Sequence, residues 1–321
     1  MRQVLFTLTL LFAIGLSACK KNGTQPDIKQ YDQQQIQAYI AANGLTGFQK
    51  DTTGKYKSQD TTGIWYKIIT SGTGKPEDSL GYSSALSCVY AEKSFDNKFV
   101  VADTILDHFQ GFVGHIPLSP PFGSVGLMMA MHNIAKYKGC KIRLLVPSHM
   151  AFGVSGTGTG SSTVSNGRIA GNQCIDYTIN TIVDQAAYDQ IAIANYMARN
   201  NLTGYTKTAD GLWYKVTTAP TGANNINMNS TVTATFTGQL LNNTVFDDNS
   251  TTAATFTDFA GGGAIDGFAE GLLLLGKGGG SISIIMPSAL GYGTSGSSGG
   301  AATIPPNACL RFNITVTDVT N

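Results

Sequence analysis

Apolar and polar residues alternate along three stretches in the second half of the chain, at residues 230–238, 281–287 and 309–319. A period of two is typical of a β-strand with one buried face, because successive side chains point to opposite sides of a sheet. We therefore predict three strands of an antiparallel sheet. The apolar face of the first strand carries Val232, Ala234 and Phe236, and that of the last carries Leu310, Phe312, Ile314 and Val316.

Helical spacing of apolar residues occurs between these strands and near the start of each half of the chain. A short helix is predicted at residues 265–275, and another over 184–200, where Asp184 is a suitable N-cap. A sheet wrapped on one short helix places the fold in the α+β class. The apolar face of the short helix carries Ile265, Phe268, Leu272 and Leu275, and a third helix is indicated by Ile36, Tyr39 and Ile40.

The two halves of the chain repeat one plan, which is the signature of duplicated structural units. Residues 125–153 align with 265–293 without a gap, and residues 168–184 match 303–319. Nearer the start of each half, AYIAANGLTGF is echoed by NYMARNNLTGY, and GIWYKIITSGTG is echoed by GLWYKVTTAPTG. The sequence therefore predicts two copies of one fold, each preceded by a helix.

The repeat and the N-terminus together divide the chain into five predicted parts. They are a signal peptide at 1–18, a tether and helix at 19–60, the first copy at 61–183, a helical linker at 184–210 and the second copy at 211–321.

The N-terminus, MRQVLFTLTLLFAIGLSACKKNG, has one arginine, a short apolar run and then small residues. This order is typical of a secretory signal, and the run is too short for a spanning helix. Its end, Leu16-Ser17-Ala18-Cys19, resembles the lipobox of bacterial lipoproteins. That resemblance implies lipidation of Cys19 and an extracytoplasmic chain anchored to a membrane, with Lys20 favouring the outer membrane. An ordinary signal peptide with a chance cysteine is the alternative.

Charge and composition exclude several classes of function. The 321 residues are 42% hydrophobic, and only 13% are charged, with 21 basic and 20 acidic side chains. A near-zero net charge argues against nucleic-acid binding, which needs a basic surface. The stretch GLLLLGKG at 271–278 resembles a phosphate loop, but Gly278 stands where Ser or Thr is needed and a helix precedes it, so we predict no nucleotide site.

Nucleophilic and metal chemistry have little support in the sequence. The stretch GSSGG at 296–300 formally fits a nucleophile motif, but the second copy contains no histidine to act as its base. The four histidines lie far apart in the first copy, so we predict no metal and no cofactor. Beyond Cys19 there is no C-x-x-C pair, and the remaining cysteines allow one disulfide or, equally, free buried thiols: Cys88, Cys140, Cys174 and Cys309.

Four segments of the second copy follow one another along 228–319: VTATFTGQLLNNTVFDDN, AIDGFAEGL, GYG and TIPPNACLRF. In this order they resemble the FKBP-type peptidyl-prolyl cis-trans isomerases. The resemblance implies a strongly bent five-stranded antiparallel sheet around the helix, with a shallow apolar pocket between them. It also implies isomerase activity on proline-containing polypeptides, here those of exported proteins.

Carried over by position, the family resemblance assigns roles to individual residues. Tyr292 is expected to donate a hydrogen bond to a substrate carbonyl, and Asp247 to lie at the pocket edge; these two are the predicted catalytic residues. Phe256 or Phe259 is expected to add a wall. The predicted substrate-binding residues are Phe236, Phe246, Ile265, Phe268, Ile304 and Phe312.

Two of these positions depart from the family pattern. Phe236 stands where a tyrosine is usual, and Phe268 where a tryptophan is usual. Loss of a hydroxyl and of aromatic area predicts reduced or altered activity. A non-catalytic module that only holds peptides, in the manner of a chaperone, is therefore the alternative function.

The first copy departs further from the pattern. Tyr90 is placed at the position of Phe236, where the family usually has a tyrosine. Phe152 replaces Tyr292 and lacks its hydroxyl, and Met128 replaces Phe268, the aromatic residue of the pocket floor. IAGN at 169–172 replaces the Ile-Pro-Pro segment, and the Phe-Asp pair is either Phe95-Asp96 or is reduced to Ala102-Asp103. We predict that this copy folds like its partner but has no isomerase activity.

Overall fold

The computed structural model describes residues 27–52, 55–56, 60–102, 108–158 and 168–321. These residues form two large antiparallel sheets with helices against them, and a separate two-stranded sheet of residues 55–56 and 60–61. The predicted signal peptide and Cys19 lie outside the described residues. The four α-helices of the described chain are α1 (Ile28–Ala42), α2 (Val125–Ala130), α3 (Gln185–Arg199) and α4 (Asp266–Leu275).

Fifteen strands lie in the described part of the chain. Those of the first half are β1 (Gln49–Lys50), β2 (Lys55–Tyr56), β3 (Asp60–Thr61), β4 (Trp65–Thr70), β5 (Ala85–Ser94), β6 (Val100–Val101), β7 (His108–Phe112), β8 (Lys141–Val146) and β9 (Ile175–Thr181). Those of the second half are β10 (Thr206–Lys207), β11 (Trp213–Thr218), β12 (Thr231–Leu240), β13 (Val245–Phe256), β14 (Ser281–Met286) and β15 (Leu310–Thr320).

Both sheets are wider than the five strands that the resemblance implied. The second sheet has the order β10-β11-β14-β15-β12-β13, so the two-residue β10 is added to a five-stranded core. The first sheet has the order β1-β4-β8-β9-β5-β6, and β7 also pairs with β5. Its seventh strand arises because β6 and β7 both pair with β5, at different points along it. We call the part built on the first sheet the first unit and the part built on the second sheet the second unit.

The alternation seen in the sequence predicts the strands of the second unit well, with one exception. On β12 and β15 the predicted apolar faces are buried. On β14, by contrast, every residue from Ile282 to Met286 is buried. The prediction of a half-exposed strand was wrong there because α3 covers the outer face, where Ile285 packs against Ile193 and Tyr196.

Helices α1 and α3 form an outer layer on the two sheets. The Asp184 side chain accepts a hydrogen bond from the Ala187 backbone N–H, which confirms the predicted N-cap of α3. Because α3 packs on the second sheet, the segment predicted as a helical linker contributes to the core of the second unit. The domain boundaries themselves stay a prediction.

The four cysteines of the described chain are free thiols and all are buried. Burial is the largest cause that raises the pKa of Cys88 and Cys309 well above the ordinary value, so both stay protonated at neutral pH. None of the helices in the described part of the chain has the length and apolar character that crossing a bilayer requires.

We expect the ionisation of Glu270 on α4 to make the stability of the second unit depend on pH. Burial, and then the neighbouring Asp210, raise its pKa from 4.5 to about 7. Because the folded state holds this proton more tightly than the unfolded state, stability falls as pH rises through that range. We expect denaturant midpoints between about pH 5 and pH 8 to decline in the wild type and to decline less in Glu270→Gln.

The control for this prediction is Asp266→Asn, on the exposed side of the same helix. It removes one carboxylate without touching the pair that Glu270 forms with Asp210. Equal pH dependence in Glu270→Gln and the wild type would contradict the assignment.

Candidate functional site

The predicted substrate-binding phenylalanines form one aromatic cluster between α4 and the second sheet. Phe268 lies at its centre, with ring-centroid distances of 5.4 Å to Phe236 and 5.3 Å to Phe312. Phe246 meets Phe312 edge to face at 5.5 Å. Such tilted and edge-to-face contacts match the positive edge of one ring to the negative face of another. These four side chains form the floor of the site. Each is between 3% and 7% exposed, so the rings contact mainly other side chains.

The backbone near Gly238 creates the space for this cluster. Gly238 on β12 lies opposite Phe312 on β15 and opposite Asp247 on β13. A Cβ on Gly238 would lie 2.7 Å from Phe312 Cε1 and 2.8 Å from Phe246 Cε2, closer than carbon atoms pack. The two rings therefore occupy volume that any side chain at residue 238 would take.

Four further apolar residues surround the aromatic cluster. Ile304 is 5% exposed and packs in the same core, while Ile265 lies at the N-cap of α4 and is partly buried. Phe256 supplies the wall that the sequence left open between two residues, because its ring lies 4.7 Å from Phe268. Phe259 is also buried in this core.

The predicted polar residues, Tyr292 and Asp247, lie at the more exposed edge of the site. The Tyr292 side chain is 36% exposed. Its pKa is raised above 10.0, first by burial and then by the negative charge of Asp247. Tyr292 therefore remains a protonated hydrogen-bond donor at neutral pH. Asp247 is half-buried, and its Oδ1 accepts a hydrogen bond of 2.8 Å from the Asn249 side-chain amide.

The glycine- and serine-rich segment after Tyr292, which we call the flap (residues 293–303), crosses this edge of the site. Ser297 and Ile304 exchange backbone hydrogen bonds of 2.8 and 2.7 Å, which close its base. The Ala301 N–H donates to the Phe246 carbonyl at 2.9 Å. A Cβ on Gly300 would lie 2.6 Å from that carbonyl, so this approach requires glycine.

The first unit has aromatic residues at several of the same positions. Tyr90 pairs with Ile179 across β5 and β9, as Phe236 pairs with Ile314 across β12 and β15. The structure therefore confirms that Tyr90 stands where the second unit has Phe236. Met128 and Phe152 are partly buried against the same core.

Side chains of the first unit itself fill its interior. Glu92 occupies the position of Gly238 and is fully buried. Its carboxylate accepts hydrogen bonds from the Phe122 N–H at 2.8 Å and from the Tyr177 hydroxyl at 3.2 Å. The Phe122 ring lies 4.4 Å from Tyr90 and 4.6 Å from Phe109. Sequence reasoning missed Glu92, although the period-two series from Leu86 through Tyr90 leads to this residue on the buried face.

The structure corrects the placement of the Phe-Asp pair in the first unit. Phe95 stacks on Tyr39 of α1 at 3.9 Å, on the outer face of the sheet, so the Phe95-Asp96 alternative is wrong. The β5–β6 register puts Val101 opposite Glu92, the place that Asp247 holds opposite Gly238. The other alternative, Ala102-Asp103, ends outside the described residues.

Comparisons of the chain with known proteins find one family, and its sequence model matches the second unit. The sequence model of the family described as FKBP-type peptidyl-prolyl cis-trans isomerase matches residues 222–317. A probable FKBP-type peptidyl-prolyl cis-trans isomerase of Haemophilus influenzae is 39% identical over 112 residues, which cover 35% of this chain and 44% of that protein. FkpA of Escherichia coli strain K12, an FKBP-type peptidyl-prolyl cis-trans isomerase, is 35% identical over 116 residues, covering 36% of this chain and 40% of that protein.

The chain thus spans less than half the length of the two curated relatives named. A crystal structure of FkpA from Escherichia coli shares 29% identity, covers 42% of this chain and 61% of that chain, and has a TM-score of 0.35. The matched residues contain the aromatic cluster, Asp247, Tyr292 and the flap. Residues 222–317 therefore match the sequence model of the FKBP-type peptidyl-prolyl cis-trans isomerases, the family that the curated relatives also represent.

Proposed function

We propose that the second unit catalyses cis–trans isomerisation of Xaa-Pro bonds in polypeptides, at the site formed by the aromatic cluster, Tyr292 and Asp247. The observation that carries this proposal is the combination of a buried aromatic floor with one protonated hydroxyl at its more exposed edge. That combination fits a neutral, apolar proline ring flanked by peptide carbonyls.

The chemistry of the reaction explains why such a site suffices. Rotation about a peptide bond faces a barrier of about 18–20 kcal/mol, because it destroys amide resonance. The cis and trans forms of an Xaa-Pro bond differ by only about 0.5–1 kcal/mol, so the catalyst must change the rate and not the equilibrium. No covalent intermediate is required.

The residues of the site stabilise the twisted amide relative to the planar one. A twisted amide has lost its C–N double-bond character and is less polar than either planar form, so an apolar floor disfavours the planar state more. Tyr292 donates a hydrogen bond that holds a flanking carbonyl, and Asp247 contributes to the polar edge. A rate gain of roughly 10⁴ needs about 5.5 kcal/mol of such differential stabilisation.

The first unit is proposed to be an FKBP-like domain without isomerase activity. Glu92 and Phe122 fill the interior that corresponds to the aromatic floor, and Phe152 lacks the hydroxyl of Tyr292. The whole chain is proposed to be an extracytoplasmic lipoprotein, anchored through Cys19 to the outer membrane, that acts on exported proteins. The lipobox-like sequence supports this placement.

A non-catalytic peptide-binding role is the second candidate. It is favoured by Phe268, which offers less aromatic area than the tryptophan that is usual at this position of the family. The absent hydroxyl at Phe236 favours it as well. The two candidates differ in whether the chain accelerates isomerisation or only binds the peptide.

The test is the rate of cis-to-trans isomerisation of a short Xaa-Pro peptide in the presence of residues 20–321. We expect acceleration above the spontaneous rate, and Tyr292→Phe should lower kcat/KM about five- to tenfold, the effect of one lost hydrogen bond. The control is Tyr82→Phe, an exposed tyrosine of the first unit. Peptide binding without acceleration would favour the non-catalytic role.

A further inference from the structure

Asn307, the residue after Pro305-Pro306, differs from its repeat partner in a way that the turn itself does not explain. Asn307 and Asn172 both adopt a positive φ, of 57° and 60°. Each donates its backbone N–H to the matching glycine carbonyl, Gly293 at 2.8 Å or Gly153 at 2.9 Å. Yet the Asn307 side chain is 2% exposed, whereas Asn172 is exposed.

The first unit is what covers Asn307. Its side-chain amide donates to Gln110 Oε1 at 3.0 Å and lies 3.3 Å from Ser87 Oγ. Ser87 on β5 and Gln110 on β7 lie directly opposite each other in the first sheet. The two side chains therefore form one polar contact point that faces the second unit.

A second chain of hydrogen bonds starts from the same Ser87. Its hydroxyl donates to Gln185 Oε1 at 2.9 Å, and Gln185 Nε2 donates to Asp189 Oδ1 at 2.7 Å. Asp189 is 1% exposed, and its Oδ2 accepts from both the backbone N–H and the hydroxyl of Ser288, at 2.8 and 2.6 Å.

Comparison of the two units shows which of these hydrogen bonds both of them have and which only the second unit has. In the first unit Asp32 likewise accepts from the Ser148 hydroxyl, at 2.7 Å, so a buried aspartate on the outer helix holds this turn in both copies. The residue four positions before Asp32 is Ile28, where the second unit has Gln185. Of the two outer helices, α3 therefore differs from α1 in carrying Gln185, which links it to the other unit.

Both series of hydrogen bonds end at the turn that carries Tyr292. The Ser288 carbonyl accepts hydrogen bonds from Gly291 N–H at 3.0 Å and Gly293 N–H at 2.9 Å, on either side of Tyr292. The Gly293 carbonyl accepts from Asn307 N–H. The contacts on Asn307 and on Gln185 thus act on the same short segment from its two ends.

We propose that the first unit is a positioning unit for the site of the second. Gln110 and Ser87 hold Asn307 and Gln185, and thereby fix the turn on which the Tyr292 hydroxyl is presented. These are positioning residues, since none of them contacts the reacting peptide bond. The inference rests on the proposed function, and it gives the first unit a role that needs no pocket.

Loosening this contact lowers the fraction of molecules in which Tyr292 is correctly placed. Substrate then binds a less populated conformer, so KM rises while kcat is retained. Partial unfolding would instead lower the active concentration and reduce kcat with KM unchanged. Loss of one or two hydrogen bonds corresponds to a rise in KM of roughly three- to tenfold.

The experiment compares Asn307→Gly with Asn172→Gly in the chain from residue 20 to 321. Glycine keeps the positive φ and removes only the side chain. We expect Asn307→Gly to raise KM as stated and Asn172→Gly to leave it unchanged. Gln110→Ala, in the first unit, should raise KM similarly, and the double variant Asn307→Gly with Gln110→Ala should be no worse than either single variant.

Amide hydrogen exchange at Gly293 and Ser297 supplies a readout that does not depend on catalysis. Exchange should become faster in Asn307→Gly and Gln110→Ala and stay unchanged in Asn172→Gly. If Gln110→Ala changes neither KM nor exchange, the positioning role is overturned. If the chain proves inactive but exchange responds as expected, the positioning contact stands and the proposed catalysis fails.

Discussion

Phe268→Ala is expected to abolish isomerase activity and to destabilise the second unit by about 3–5 kcal/mol, the cost of removing a buried aromatic side chain. Phe268 lies at the centre of the cluster and is 3% exposed, with Phe236, Phe256 and Phe312 around it. Its removal leaves a cavity and takes away the floor against which a proline ring would pack. Denaturant unfolding and the peptide isomerisation rate measure the two effects.

Two further variants keep this prediction informative. Phe268→Leu retains most of the buried volume, so the unit should stay folded while activity falls. Met128→Ala changes the matching, partly buried position of the first unit and should leave kcat unchanged. Full activity in a folded Phe268→Leu chain would show that the ring takes no part in the site.

Gly238→Glu is expected to eliminate activity by giving the second unit the residue that fills the first. The new Cβ would lie 2.7 Å from Phe312 Cε1, so the rings must move. The new carboxylate would also lack the hydroxyl partner that Glu92 has in Tyr177, because Phe312 stands in that place. Overpacking a core and burying a carboxylate without a partner both lower the free energy of unfolding. We expect the two effects together to lower it by about 3–5 kcal/mol.

The matched control is Thr235→Glu, which adds the same charge to the outer face of the same strand. It should leave both activity and the unfolding midpoint close to those of the wild type. Gly238→Ala separates volume from charge, because it introduces the Cβ alone. Retained activity in Gly238→Glu would contradict the view that this glycine keeps the site open.

Much of the fold follows from local pattern. On β12 and β15 the alternation of apolar residues predicts the buried face directly. A strand with one solvated side can bury its apolar residues only if the face that carries them points to the core. The N-cap at Asp184 is equally local, because its partner is the Ala187 N–H three residues on. For β14 the pattern misleads, because the outer face is buried by a helix nearly a hundred residues earlier in the chain.

The candidate site divides in the same way. Its apolar members and its two polar residues were predicted from four short segments that resemble a family, and in the structure these residues lie together. The filling of the first unit was not identified, because it depends on Phe122 reaching Glu92 across 30 residues of chain. The phase of β5 does place Glu92 inside, so a local signal existed, but its partners are set only by the folded backbone.

The sequence by itself indicated the repeat, the α+β class, the three long strands of the second unit and the resemblance of that unit to a known family. These depend on periodicity and on motifs that lie within a few residues of one another. Only the tertiary structure decided that Gly238 and Glu92 occupy equivalent places, that α3 belongs to the layers of the second sheet, and that Asn307 is covered by Gln110. The physical reason is that burial and hydrogen bonding between distant segments depend on how the layers pack, which no local pattern records.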